Sequence, residues 1–124
     1  MSVQNLLEWA PRKGIDLLGT GDCLHPGWND ELLEHLLEDG SGLLRPKHRG
    51  GLRFVLTAEI EAVFTAGEQE ARIHLLVALP GFDAASQLYA SLNTSADLGG
   101  ETVPSFKMPP AELVERILKV CPEV

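Results

Sequence analysis

The sequence is poor in cysteine, in basic residues and in long apolar runs. Its two cysteines, Cys23 and Cys121, lie far apart and form no CxxC pair. That excludes a disulfide framework and points to a reducing cytoplasm. Ten Lys and Arg stand against 18 Asp and Glu, a formal net charge of -8. A free nucleic-acid binder usually carries a basic stripe, and this chain has no long one. The longest apolar stretches, such as Ile73–Leu79, are far too short to span a bilayer. Met1-Ser2-Val3-Gln4 leads into a charged segment, so no secretory leader and no membrane partner are expected. There is no phosphate-binding P-loop, nucleophile elbow, internal repeat or low-complexity tract.

What is present is a chain of 124 residues, 44% of them hydrophobic. That is enough for a packed core in one domain or in part of a larger one. Val3–Arg12 reads as a helix capped by Ser2, with Leu6, Leu7 and Ala10 as its apolar stripe and Lys13-Gly14 as its stop. Ile15–Thr20 reads as a short parallel strand buried on both faces. Trp28–Glu38 reads as a helix, with apolar residues at 28, 32, 33, 36 and 37, broken by Asp39-Gly40-Ser41-Gly42. Every even position from Leu52 to Phe64 is apolar, the period of a strand. Ala66–Gln69 is a turn and Arg72–Leu79 the returning strand, so a β-hairpin is predicted. Helices over Phe82–Leu92 and from Pro109-Pro110 onward complete an α/β order, joined by a polar loop over Asn93–Ser105.

Four residues stand out as chemical candidates. Asp22 and His25 lie three apart in Gly19-Thr20-Gly21-Asp22-Cys23-Leu24-His25-Pro26-Gly27-Trp28, between a predicted strand and a predicted helix. Functional residues of α/β folds gather there. A carboxylate and an imidazole suit Zn²⁺, Mn²⁺ or Fe²⁺, and an acidic balance fits such a site. The alternative is a turn-forming or helix-capping Asp. Glu59 lies in an apolar strand, where a carboxylate is costly unless paired, metal-bound or on a solvated face. His74 is a ligand or a hydrogen-bonded strand residue. If Thr65 pairs with Glu70, then Glu61 faces His74 and Glu59 faces Leu76. Glu59 and His74 then become diagonal neighbours on one face; a one-residue slip separates them. His35 and His48 read as structural, and Cys23 as a small buried residue rather than a soft ligand. One basic cluster, Arg45, Lys47, Arg49 and Arg53, reads as a solvated loop or as a phosphate contact for DNA.

Three blocks in order carry a family resemblance. Lys13–Asp22 followed by His25–Trp28, then Phe54–Ile60, then Arg72–Leu76, together resemble the PHP-domain phosphoesterases of the endonuclease Q-like group. The resemblance covers most of the chain. It implies a distorted, TIM-like β/α barrel with up to three metal ions at the carboxyl ends of its strands. It implies phosphoester hydrolysis, and in the endonuclease Q-like members nicking of DNA beside deaminated or damaged bases. Carried onto this sequence, Asp22 or His25, Glu59 and His74 are metal ligands, with Asp22 and Glu59 also catalytic. The chain departs from the pattern at Cys23, where the family has histidine after the aspartate. It also lacks the family's opening His-x-His strand and its later histidine and Asp-x-His blocks. Residues 1–124 are thus expected to be a partial PHP-like domain. Its alternatives are a non-catalytic metal-binding remnant or an interaction domain that oligomerises through open sheet edges.

Overall fold

The computed structural model describes residues 1–48 and 50–124. The chain opens with α1 (Val3–Arg12), which begins where Ser2 Oγ accepts a hydrogen bond from the Asn5 N–H at 3.2 Å. β1 (Leu17–Gly19) follows, then α2 (Pro26–His35), β2 (Leu36–Glu38) and β3 (Leu44–Pro46). The long strand β4 (Arg53–Ala66) turns back into β5 (Gln69–Leu79). The chain closes with α3 (Phe82–Leu92), β6 (Ser105–Phe106) and α4 (Pro110–Val120).

β4 organises a six-stranded mixed sheet. Its first residues pair in parallel with β1, Leu17 with Arg53 and Gly19 with Val55, and antiparallel with β3 at Phe54. Its later residues pair antiparallel with β5, and Glu61 and Ala62 pair in parallel with Ser105 and Phe106 of β6. The sheet is open. The closed barrel implied by the family resemblance is not formed by these strands, because no described strand pairs with the outer edge of β1.

The even positions of β4 face the core, as the alternation predicts: Phe54, Leu56, Ala58, Ile60 and Ala62 are all buried. Leu32 of α2, Leu88 and Leu92 of α3, Leu113 and Ile117 of α4 and Phe106 belong to the same apolar cluster. The other face is open in places, though Thr57 and Glu61 on it are buried. Leu17 is 53% exposed and Leu76 78%.

Two expectations are corrected. β1 is shorter than Ile15–Thr20 and is not buried on both faces, because only one of its edges and one of its sides are covered. The helix predicted over Trp28–Glu38 runs instead over Pro26–His35. Leu36 and Leu37 continue its apolar stripe in sequence, yet they pair with Pro46 and Arg45 as strand. Sheet pairing overrides a local helical pattern that an isolated reading favours. No helix among the described residues is long and apolar enough to cross a membrane.

Candidate active site

The loop after β1 is tied down on both sides. Thr20 Oγ1 accepts from the Thr57 N–H at 3.1 Å, and Thr57 Oγ1 accepts from the Gly21 N–H at 2.8 Å. The Trp28 indole N–H donates to the main-chain oxygens of Gly21 at 2.9 Å and Thr20 at 3.2 Å. These bonds hold Gly21 at φ 64° and Asp22 at φ 44°. The second is a left-handed conformation that a side chain adopts at a cost. His25 then caps α2, its Nδ1 accepting from the Trp28 N–H at 3.3 Å.

Asp22, His25 and Glu59 line one cavity of about 220 Å³, between the β1 loop, β4 and the segment Leu98–Pro104. The cavity lies where β4 has lost β1 as a neighbour and has not yet gained β6. The hairpin register is the predicted one: Thr65 pairs with Glu70, Glu61 with His74 and Glu59 with Leu76. His74 Nδ1 lies 2.5 Å from Glu59 Oε1, and its Nε2 lies 3.2 Å from Glu61 Oε1. All four candidate residues are therefore gathered: three around the cavity and the fourth on Glu59.

Sequence reasoning missed the support behind them. Glu61 is only 7% exposed. Its Oε2 accepts from Ser105 Oγ at 2.5 Å and from Arg72 Nη1 at 3.1 Å. The Ser105 hydroxyl first, then His74 and Arg72, hold the Glu61 carboxyl below the usual range, against the opposing effect of burial. Hydrogen bonding to Glu59 and then Glu61 raises the His74 imidazole above its ordinary value. The register itself carried the signal for Glu61, since it placed that residue opposite His74. Trp28, read as a core residue, also holds the Asp22 loop. Cys23 is buried, and burial followed by the Asp22 charge pushes its thiol up to about 12. It stays protonated at neutral pH, which agrees with a packing role. Both cysteines are free.

The four candidates are donor types that Zn, Mn or Fe accepts. They do not close into a complete centre: among the described residues, no three His, Cys, Asp or Glu converge to hold one ion. The chain's own residues are therefore an incomplete fit for a metal.

The basic residues lie elsewhere. Arg45 is exposed on β3, with Nη1 donating to the Pro46 carbonyl at 3.4 Å. Lys47 Nζ donates to the Leu33 carbonyl at 2.8 Å, and Arg53 pairs with Asp39 at 3.5 Å. Arg49 lies outside the described residues. The cluster is thus part strand rather than all loop. Arg53 stands six residues before Glu59, roughly 20 Å along the strand.

This architecture recurs in solved structures. The crystal structure of endonuclease Q in complex with a 27-mer duplex substrate, with an abasic lesion at the active site, matches 97% of this chain. The TM-score is 0.78 and the identity 26%. The chain shares the fold of part of endonuclease Q. The lesion-specific endonuclease Q of Pyrococcus furiosus matches over the same 97%, with TM-score 0.78 and 25% identity. An uncharacterised protein of Methanocaldococcus jannaschii is 31% identical over 121 residues. The chain spans 28% of each endonuclease Q chain and 13% of the archaeal relative. No family model matches.

Proposed function

We propose that residues 1–124 contribute part of a PHP-type, metal-dependent phosphoesterase domain of the endonuclease Q kind. The observation that carries this reading is the meeting of Asp22, His25 and Glu59 at one cavity, with His74 bonded to Glu59. These residues were singled out from three separate sequence blocks. The likeness to endonuclease Q supports the same reading.

In this reading Asp22, His25, Glu59 and His74 face a divalent metal centre of Zn, Mn or Fe. Asp22 and Glu59 are its catalytic carboxylates. Such a centre supplies an activated water and a clamp on phosphate oxygens. The chain's donors are too few for it, so the remaining ligands come from outside this segment, along with strands that cover the open face of β4 and β5. Phosphodiester cleavage then belongs to the assembled domain, and duplex DNA with a lesion is the substrate class that the neighbours suggest. Arg45, Lys47, Arg49 and Arg53 are assigned to its backbone.

A second reading is favoured by the exposure of Leu17 and Leu76. Here the open face is an association surface, covered by a second copy of the chain, and the polar residues are a remnant without turnover. Elemental analysis of the purified chain beside a Glu59→Ala/His74→Ala double variant separates the two. Stoichiometric metal that is lost in the double variant supports the first. Metal in neither protein shows that these donors hold no ion without the outside ligands, and sedimentation then decides: a dimer that Leu76→Asp disperses supports the second reading, and a monomer supports the first.

A further inference from the structure

Glu61 occupies a position where a carboxylate is expensive. It is nearly buried at the junction of three strands, where a charge left unpaired is destabilising. The fold meets that cost with unusual care. Ser105 comes from β6 and Arg72 from β5, and the Glu61 main-chain N–H donates to the Pro104 carbonyl at 2.9 Å. A carboxylate so fixed has one oxygen left to use, Oε1, and that oxygen meets His74 Nε2. The imidazole itself has no such shelter. Its side chain is 51% exposed, and its only other hydrogen-bond partner among the described residues is Glu59, 47% exposed. A side chain this open on a strand samples several rotamers unless something rigid holds it.

We propose that Glu61 is a positioning residue for the site: it clamps the His74 ring through Nε2, so that Nδ1 is presented to Glu59 beside the cavity. The inference rests on the reading that His74 belongs to the site. Imidazoles that act as ligands or bases are commonly oriented in this way by a carboxylate on the far nitrogen. The chain of support runs Ser105 and Arg72 to Glu61, Glu61 to His74, and His74 to Glu59. Glu61 thus acts through His74 and need not touch a substrate.

The test is NMR on the whole chain with labelled histidine, without added metal. In the wild-type protein the His74 ring occupies one rotamer, with a single set of unaveraged three-bond couplings. Glu61→Met removes the acceptor at similar volume, and the couplings average. Glu61→Gln keeps an acceptor oxygen and restores the single rotamer. Ser105→Ala leaves Glu61 in place but frees it, and gives partial averaging even if Glu61→Met folds poorly. An averaged ring in the wild type, or a fixed ring in both Glu61→Met and Ser105→Ala, overturns the proposal. A purely structural Glu61 would alter stability and leave the rotamer alone. A Zn²⁺ titration on the same resonances tests the metal reading separately. A shift at His74 supports that reading and no shift leaves the ion dependent on ligands from outside, while the couplings decide the role of Glu61 in either case.

Discussion

Thr20, in the loop after β1, and Thr57 of β4 each lend a hydroxyl to the other's segment. Thr20 Oγ1 takes the Thr57 N–H, and Thr57 Oγ1 takes the N–H of Gly21, the residue after Thr20. Both side chains are buried, the Thr57 N–H with them, while Gly21 is half-buried. Thr57→Val keeps the shape and removes the acceptor of the Gly21 N–H. It is expected to cost about 0.5–1.5 kcal/mol, the net worth of one such hydrogen bond. Urea denaturation beside the wild type measures it. Gly19→Ala strains the same contact, because a Cβ there would lie 3.0 Å from Thr57 Oγ1.

Asp22 holds a positive φ that its Cβ disfavours. Asp22→Gly is expected to raise stability by up to about 1 kcal/mol, since glycine enters that region freely. The same change removes a carboxylate from the cavity. Under the proposed function, metal uptake in the assembled domain falls while the melting temperature holds or rises. A drop in both would make Asp22 a structural residue only. Strain kept at one loop residue is the pattern expected where the side chain is needed.

His74 and Glu61 give stability opposite dependences on pH. The folded His74 titrates above its unfolded value of about 6.5. Its contribution is complete below that value and is lost as pH rises through the folded pKa. Glu61 titrates below its unfolded value. Its contribution is present above about 4.5 and is lost as pH falls through the folded pKa. Stability followed by chemical denaturation is therefore expected to fall at both ends of the range. In His74→Gln the decline as pH rises through the folded His74 pKa disappears, and the acid decline persists.

Leu76 and Phe106 are large apolar residues at opposite extremes of exposure. Leu76→Ser is expected to change stability by less than about 0.5 kcal/mol, because the side chain already stands in water. Phe106→Ala is expected to cost roughly 3–5 kcal/mol, since it empties a fully buried site. Paired thermal melts check both. A large loss from Leu76→Ser, with the chain otherwise monomeric, would show that the face is covered by part of this chain.

How much of this was legible in the sequence differs from element to element. β4 and β5 were, because apolar residues at every second position fix which side faces the core, and a short turn then narrows the register. Pairing of Thr65 with Glu70, one of the registers that the sequence left open, is the one formed, and it puts Glu59 beside His74. The boundary at His35 was not legible. Leu36 and Leu37 suit a helix locally, and only the later strand Leu44–Pro46 draws them into the sheet. The exposure of β1 was hidden for a related reason: an apolar strand looks the same whether its second edge is paired or free. The burial of Glu61 was not legible, because it depends on Ser105, 44 residues away. The family resemblance named the candidate residues, but not the hydrogen bonds that orient them.

β4 is also a timing device. Its partners in β1 and the following loop precede it by as much as 37 positions, and its partner in β6 follows by 44. Contacts this distant in sequence form slowly, since each must close a long loop before it gains anything. A chain emerging from the ribosome can build the β4–β5 hairpin as soon as Leu79 is free. Within that hairpin Arg72 and His74 already hold the Glu61 carboxylate, but its bond to Ser105 must wait until residue 105 has been made. The candidate site therefore matures in two stages, and a nascent chain halted before that serine would display the hairpin with its acid held from one side alone.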